Sequence, residues 1–164
     1  MTKKEVPKPD FISDENWKLL MDTRDVKTIR AWGAEHTRRY IESGGSDESG
    51  SMIGMAVILI TTIGRKTGQE RTNPVNFVQE GDKIYVVGSL SGLEEDPFWA
   101  RNLDKTPRGW VQMKDKRWAV NARKITDEKE RALLWPQLTA KFPMWGHFQK
   151  YSDRQFMVFE LTPA

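Results

Sequence analysis

Six short runs of apolar or alternating residues follow one another after Gly54, and they limit the possible folds more than any other feature. They lie at residues 55–62, 71–79, 83–89, 109–113, 117–125 and 155–162. Such runs are typical of short β-strands. Polar turns at 80–82 and 114–116 are tight enough to join neighbouring strands as antiparallel hairpins. Because consecutive strands favour a closed antiparallel sheet over a doubly wound one, this part of the chain predicts a small β-barrel.

Helical spacing of apolar residues marks segments on both sides of the first five strands. In residues 13–40, Ser13 or Asp14 is placed to cap a helix, and apolar residues then recur along one face. Between the last two strands, Thr126 is placed to cap a helix that ends near Phe142, and a second short segment covers residues 144–151. These segments predict helices packed around the barrel.

A run of small and polar residues, SGGSDESGSMIG at 43–54, separates the N-terminal helical segment from the strands. Because it has few side chains to bury, it predicts a loop or linker. We therefore predict an α+β protein in which residues 1–54 form a helical arm and linker. Residues 55–164 would form a six-stranded, mostly antiparallel barrel.

Composition excludes several classes of function. The 164 residues fit one compact domain, and the absence of cysteine excludes disulfides, thiolate metal sites and a cysteine nucleophile. With only two histidines, far apart in the sequence, we expect no metal site. The net charge of +3 favours a local anionic ligand over nucleic acid. No signal peptide or membrane span is evident, so we expect a cytoplasmic protein.

The sequence GRKTGQER at residues 64–71 lies between two predicted strands. Its glycines permit a tight connection, and Arg65, Lys66 and Arg71 supply three cations within seven positions. Guanidinium groups and the backbone amides of such a loop are suited to bind phosphate. The loop lacks the spacing of a nucleotide P-loop and of a dinucleotide fingerprint. A solvated basic hairpin is the alternative interpretation.

A second informative stretch, residues 88–113, begins where the third predicted strand ends. Ser89 and Gly92 allow close approach of the backbone to a ligand. Pro97 is placed to start a short helix that presents Trp99 and Asn102 on one side. This arrangement is suited to form one wall of a binding site for a flat ring. Alternatively, the aromatic residues plug one end of the barrel.

In this order, GRKTGQER, PFWARNL and the strand GWVQM resemble the deazaflavin-dependent nitroreductase family. The members of this family are reductases that use coenzyme F420 and belong to the flavin-binding split β-barrel superfamily. The resemblance extends from about Met55 to Pro163. It implies a split β-barrel fold and coenzyme F420 as the cofactor.

The resemblance also implies roles for individual residues. The coenzyme's phosphate and acidic tail would be held by Arg65, Lys66, Thr67, Gly68, Gln69 and Arg71. The deazaflavin ring would lie along Pro74, Val87, Gly88 and Ser89, with Trp99 and Asn102 completing the site. Ser89 is the candidate catalytic residue, because its hydroxyl is placed to donate a hydrogen bond to an acceptor atom that gains charge.

For the substrate, the resemblance points to Asn76, Phe142, Trp145 and Phe148, at positions where the nitroreductases carry tyrosines. We expect a bulky, apolar pocket. Because the phenolic hydroxyls that could orient a nitro group are absent, the resemblance does not imply nitroreduction of the kind that depends on them. Leu90 and the acidic residues Glu94, Glu95 and Asp96 also depart from the family. If those carboxylates turned into the groove, they would weaken binding of an anionic tail.

The predicted function is that of an oxidoreductase. It would transfer a hydride from reduced F420 to an apolar, electron-poor acceptor such as an enone, a quinone or a nitroaromatic compound. The alternatives are an FMN- or FAD-binding split-barrel reductase and a non-catalytic protein that binds a cofactor or ligand. We expect a small-molecule partner, no nucleic acid, and a monomer or homodimer. Trp17, Trp32 and Tyr40 of the arm are expected to pack on the barrel, with peripheral membrane contact as the alternative.

Overall fold

The computed structural model describes residues 4–46, 51, 52 and 54–164, and these form an α+β fold, as predicted. Part of the loop predicted over 43–54 lies outside the described residues. The described helices are α1 Asp14–Asp22, α2 Val26–Ser43, α3 Phe98–Lys105, α4 Glu128–Lys141 and α5 Pro143–Lys150, with a short 3-10 helix at Leu90–Gly92. The described strands are β1 Ser51–Met52, β2 Met55–Ile63, β3 Glu70–Asn76, β4 Val78–Glu80, β5 Lys83–Val87, β6 Arg108–Met113, β7 Lys116–Lys124 and β8 Val158–Pro163.

The predicted number of six strands is wrong, because one predicted strand is divided. Residues 71–79 contribute to β3, which pairs with β2, and to β4, which pairs with β5. Phe77 lies between them, where the chain changes its pairing partner. The two-residue strand β1 adds to the count by pairing with the start of β2. Alternation along a sequence shows that a segment is extended, but it does not show where the segment changes partner.

All strand pairs in the described part of the chain are antiparallel. The order across the sheet is β1-β2-β6-β7-β8-β5-β4, and β3 also pairs with β2. β3 at one side approaches β5 near the other, so the sheet curls on itself. Because β3 and β4 are joined only through Phe77, a single extended segment connects the two sides.

Two groups of buried side chains lie on the two faces of this curled sheet. Trp99 and Leu103 of α3 join the first group, together with Ile58, Ile60, Val86, Val111, Phe159 and Leu161. Leu138 of α4, Trp145 and Phe148 of α5 and Leu20 of α1 join the second, together with Tyr85, Phe156 and Val158. Helix α3 therefore packs on one face, while α1, α4 and α5 pack on the other.

The N-terminal segment contains two helices with a sharp break between them. Ser13 caps α1 by accepting a hydrogen bond from the backbone N–H of Asn16 at 3.1 Å, as its position in the sequence predicts. Asp25 caps α2 in the same way through Thr28, at 2.9 Å. Each of these two residues therefore begins a separate helix, and Arg24 lies buried in the break between them.

Aromatic residues of these helices pack mainly against the rest of the protein. Tyr40 is only 1% exposed, and its hydroxyl accepts a hydrogen bond from the backbone N–H of Lys114 at 2.7 Å. Trp17 stacks on Phe148 with the ring centroids 6.1 Å apart. Trp32, by contrast, is 45% exposed. Across the described residues, none of the helices combines the length and the apolar character that crossing a membrane requires.

The cap of α4 differs from the prediction by one residue. Asp127, and not Thr126, accepts hydrogen bonds from the backbone N–H groups of Lys129 and Glu130, both at 2.9 Å. A carboxylate is preferred here because it also interacts favourably with the positive end of the helix dipole. Pro136 lies inside α4 and provides no backbone N–H to the helix.

Candidate functional site

A cleft of about 480 Å³ lies between the N-terminal helices and one side of the curled sheet. Helices α1 and α2 line one wall, and the other walls come from the β2–β3 loop, β3, the end of β5 and α3. Gly33 of α2 lies close to Pro74 of β3, where a Cβ atom would be 3.7 Å from the proline ring. The arm therefore forms part of the site and is not only an appendage of the sheet.

The β2–β3 loop closes as a compact turn. Gly68 has a φ of +73°, and its N–H donates to the carbonyl of Gly64 at 2.8 Å. The N–H of Gly64 donates in turn to the carbonyl of Gln69 at 2.7 Å, and Thr67 Oγ1 accepts from the N–H of Gln69 at 3.2 Å. Because the backbone closes on itself, the long side chains of the loop are free to extend towards the cleft.

Asn102 of α3 fixes this loop to the rest of the protein. Its Oδ1 accepts a hydrogen bond from the backbone N–H of Arg65 at 3.1 Å, and its Nδ2 donates to Thr62 Oγ1 at 3.0 Å. Asn102 is 3% exposed and Thr62 is fully buried. A buried amide that satisfies both partners holds the loop at a fixed distance from α3. Lys105 adds a hydrogen bond from Nζ to the carbonyl of Arg65 at 2.7 Å.

Among the residues that the structure describes, four cationic side chains line the cleft, and three of them are the predicted Arg65, Lys66 and Arg71. The fourth is Arg30 of α2. No ion pair to any of these four is found among residues 4–46 and 54–164. Arg65 and Arg30 both lie against the ring of Phe98, at 4.8 Å and 3.7 Å from its centroid. This end of the cleft is therefore positively charged and suited to an anion.

The remaining lining is mainly apolar. Val87, Trp99 and Trp145 contribute to it from the sheet side, and Leu20, Val26 and Ile29 contribute from α1 and α2. Trp99 and Trp145 are 8% and 2% exposed, so each is a core residue with an edge on the cleft. A flat ring fits an apolar wall of this kind, while its charged substituents reach the cationic end.

Ser89 lies where β5 leaves the sheet, and its side chain lines the cleft. Its hydroxyl makes no hydrogen bond within the described part of the chain, and it is therefore available to a ligand. The next two residues, Leu90 and Ser91, have φ values of +45° and +50°. Side chains other than glycine rarely adopt this left-handed conformation, so the loop after Ser89 is strained.

Two arginines, the buried Arg24 and the partly buried Arg154, hold the strained loop by its carbonyl groups. Arg154 donates to the carbonyls of Gly88 at 2.9 Å, Ser89 at 2.7 Å and Leu93 at 2.8 Å. Arg24, in the break between α1 and α2, donates to the carbonyl of Ser91 at 2.6 Å. Burial lowers the pKa of both guanidinium groups, and nearby carboxylates oppose that shift. The loop is thus tied to both the barrel and the arm.

The acidic residues that follow this loop do lie near the cleft. Glu95 and Asp96 line it, and Asp96 Oδ1 accepts a hydrogen bond from Arg154 at 3.1 Å. Glu94 Oε1 is buried without a hydrogen-bond partner in the described structure. The Glu94 carboxylate favours the charged form of Arg24 and Arg154, and therefore opposes the lowering of their pKa values by burial. Of the two carboxylates that line the cleft, Asp96 is therefore paired with Arg154, whereas Glu95 has no ion pair among the described residues.

The structure brings together most of the residues predicted for the site. The cleft is lined by Arg65, Lys66, Thr67, Arg71, Pro74, Asn76, Val87, Ser89, Trp99, Asn102 and Trp145. It is not lined by Gly68, Gln69, Gly88, Phe142 or Phe148.

Three of the residues outside the lining have structural contacts that account for their positions. Gly88 faces α3, where a Cβ atom would be 3.2 Å from the Cβ of Ala100. Phe148 supports the strained loop, since a Cβ atom on Gly92 would be 2.9 Å from its ring. Phe142 packs against Trp145 with the ring centroids 4.7 Å apart.

Sequence reasoning missed Arg24, Arg30, Phe98 and Arg154. Phe98 lies within the motif PFWARNL, where its ring is equally suited to plug one end of the barrel, and no local motif marks the three arginines. Their role depends on contacts between residues about 35 to 70 positions apart in the chain, such as Arg24 with Ser91 and Arg154 with Gly88. No His, Asp or Glu residues gather into a possible metal site in the part of the chain that the structure describes.

Comparison with known proteins agrees with this fold. A family model described as F420H(2)-dependent quinone reductase matches residues 32–163. The chain therefore belongs to the F420H(2)-dependent quinone reductase family. This confirms the resemblance to F420-dependent reductases. At the level of the family, it also confirms the predictions of an oxidoreductase and of coenzyme F420 as the cofactor.

Two relatives from Mycobacterium tuberculosis illustrate the similarity. A putative F420H(2)-dependent quinone reductase is 29% identical over 106 residues, which are 65% of this chain and 88% of the relative. An F420H(2)-dependent quinone reductase is 32% identical over 107 residues, which are 64% of this chain and 72% of the relative.

Two solved structures share the fold. One, an F420-H2 dependent reductase, has a TM-score of 0.57 and 32% identity, and the match covers 64% of this chain and 92% of that chain. The other, described as a domain-swapped dimer, has a TM-score of 0.60 and 29% identity, with 80% of this chain and 98% of that chain covered.

Proposed function

We propose that this protein catalyses the reduction of a quinone to the quinol by reduced coenzyme F420, with a net transfer of one hydride and one proton. The observation that carries the proposal is the cleft itself, whose lining combines four cationic side chains with a mainly apolar surface. The relatives' names support the same chemistry. A quinone is a flat, apolar, electron-poor acceptor, and the broader predicted range of enones and nitroaromatic compounds shares these properties.

The residues of the cleft fit the chemistry of the coenzyme. Arg65, Lys66 and Arg71 provide charge-assisted donors for the phosphate and the acidic tail, and none of the three makes an ion pair within the described part of the chain. Pro74, Val87 and Trp99 would flank the deazaflavin ring. Asn102 is a positioning residue in this proposal, because the hydrogen bonds of its side chain are to protein groups.

The bound coenzyme supplies the hydride, so the protein needs no nucleophile of its own. What the chain supplies is position and electrostatic stabilisation. Leu20, Val26 and Ile29 of the arm cover the cleft and would exclude water from the apolar end. Ser89 Oγ would donate a hydrogen bond to the quinone oxygen as that oxygen gains negative charge. The two arginines that hold the loop would keep Ser89 in place.

We place the acceptor beside Trp145, Asn76 and the arm residues at the apolar end of the cleft. Asn76 is held by a hydrogen bond from its Nδ2 to the carbonyl of Ala56 at 3.0 Å. The predicted contributions of Phe142 and Phe148 would then be indirect, because both pack behind the lining. Substitution of Trp145 should therefore change acceptor preference more than coenzyme affinity.

The test is anaerobic oxidation of reduced F420 by the purified protein, with quinones, enones and nitroaromatic compounds as acceptors. We expect quinone-dependent turnover. A Ser89→Ala variant should lose about tenfold in kcat, the value of one hydrogen bond of about 1.4 kcal/mol, while Ser89→Thr retains most of the activity. F420 binding without turnover on any acceptor would indicate a binding protein. Tight binding of FMN or FAD but not F420 would refute the cofactor assignment.

A further inference from the structure

Among the described residues, Arg30 is the cation of the cleft that lies outside the segment 64–71. It projects from the second turn of α2, and its guanidinium carbon is 3.7 Å from the centroid of the Phe98 ring. Arg65 approaches the same ring at 4.8 Å. Two helices and a loop, far apart in the sequence, thus meet at one aromatic side chain.

This arrangement places two positive charges near each other at the rim of the cleft. Like charges repel, and Phe98 offsets that repulsion only in part through cation–π attraction. An anion between or beside the two guanidinium groups would relieve the repulsion. Elsewhere on α2 the pattern differs, because Arg38 is paired with Glu35 at 2.5 Å and with Glu42 at 2.8 Å.

The exposure of these residues increases from Arg65 to Arg30, and this indicates which part of the site is nearer to solvent. Arg65 is half-buried beside Asn102, whereas Arg30 is exposed, and Phe98 is 42% exposed. A ligand whose ring lies against the apolar wall would pass Arg65 first and reach Arg30 near the solvent. The part of a coenzyme that extends outwards is its tail.

We infer that Arg30 binds the carboxylates of the coenzyme's acidic tail, so that α2 discriminates between coenzyme forms by tail length. The inference rests on the proposed use of F420. The loop cations would serve the phosphate, and Arg30 would add a contact available only to forms that carry tail glutamates. Phe98 would orient the Arg30 guanidinium by stacking and leave its N–H groups free to donate.

The experiment is a fluorescence titration of the wild-type protein and its variants with three ligands. These are F420 with a polyglutamate tail, the form that carries the phosphate but no glutamate, and the deazaflavin riboside that lacks both. Arg30→Ala should weaken binding of the tailed form about threefold to tenfold, as expected for one exposed charged contact. Binding of the other two ligands should change less than about twofold, and Arg30→Lys should retain most of the affinity.

Arg39→Ala is the matched control, because Arg39 is exposed on the same helix but does not line the cleft. It removes the same charge and should leave all three affinities unchanged. Equal weakening of the tailed and tail-less forms by Arg30→Ala would place Arg30 on the phosphate or ring and would overturn the inference. An unchanged affinity for the tailed form would also overturn it. Failure of the wild-type protein to bind any of the three ligands would instead refute the proposed function, and the inference with it.

Discussion

At the scale of single residues, Arg71 offers the clearest separation of binding from folding. Its side chain is exposed, lines the cleft and has no ion pair among the described residues. We predict that Arg71→Ala weakens binding of F420 about tenfold to a hundredfold, because a charge-assisted contact contributes about 1.5 to 3 kcal/mol. Isothermal titration of the folded variant measures this directly.

Arg108→Ala is the control for this prediction. Arg108 is exposed at the start of β6 and does not line the cleft, so its removal changes the net charge equally without touching the site. The free energy of unfolding should be nearly the same for both variants and the wild type. If Arg108→Ala weakened binding as much as Arg71→Ala, the effect would reflect the field of the whole protein and not a contact.

Some of these residues could be identified from the sequence and others could not. The loop cations were predictable because three of them, two glycines and a hydroxyl fall within eight consecutive positions. Asn102 was predicted to face the cleft, but its hydrogen bonds to Arg65 and Thr62 depend on how α3 lies against the sheet. Arg30 and Arg154 lie in segments without a motif, and only the folded chain shows what they contact.

At the scale of elements, the loop after Ser89 depends on one side chain from the far end of the sequence. Arg154 donates hydrogen bonds to three carbonyls of this region and to the Asp96 carboxylate. We predict that Arg154→Ala lowers the free energy of unfolding by about 3 kcal/mol, since it leaves a partly buried carboxylate and several carbonyls without a donor. Urea denaturation monitored by tryptophan fluorescence measures the change.

Two variants make this prediction specific. Arg154→Lys keeps a positive charge near Asp96 but cannot serve several carbonyls at once, so its stability should be intermediate. Arg131→Ala removes another partly buried arginine, which stacks on Trp135 at 5.0 Å. Its loss should cost less than about 1 kcal/mol. Equal effects of Arg154→Ala and Arg131→Ala would show that the hydrogen bonds to the loop contribute little.

The elements themselves were largely predictable, and the exceptions have a common physical cause. Runs of alternating residues located most strands, and Ser13 located the start of α1. The change of partner at Phe77 and the break at Arg24 were missed. At both places a continuous sequence pattern is divided, because its two halves pack against different distant segments. The pattern alone does not show which segment each half contacts.

At the scale of the whole molecule, one buried carboxylate links three strands and a helix. Glu160 of β8 accepts hydrogen bonds from the Tyr85 hydroxyl of β5 at 3.1 Å and from Arg123 of β7 at 3.1 and 3.3 Å. Arg123 also donates two hydrogen bonds of 2.8 Å to Glu130 of α4. This network connects strands that are distant in sequence, so its ionisation should affect the stability of the entire fold.

The pKa shifts in this network predict two limits to stability. Burial acts to raise the pKa of Glu160, but hydrogen bonds from Arg123 and Tyr85 outweigh it and hold the pKa below the ordinary 4.5. A lowered pKa means that the unfolded chain binds more protons in acid, so stability falls as the pH drops below about 4.5. Burial, followed by the hydrogen bond to Glu160, raises the pKa of Tyr85 from 10.0 to about 12. The Tyr85 hydroxyl therefore stays protonated to a higher pH in the folded protein than in the unfolded chain, and stability falls as the pH rises from about 10 to 12.

We therefore predict that Tyr85→Phe reduces the loss of stability between about pH 10 and 12 (the alkaline limb) and leaves most of the loss of stability below about pH 4.5 (the acid limb). Glu160→Gln should remove the contribution of Glu160 to the acid limb. The measurement is the free energy of unfolding against pH for each variant minus that of the wild type, which cancels groups common to both. Tyr151→Phe is the control, because the hydroxyl of Tyr151 makes no hydrogen bond within the described part of the chain and the residue is 37% exposed. Should Tyr151→Phe alter the alkaline limb as much as Tyr85→Phe, the effect would not arise from the network that joins β5, β7 and β8.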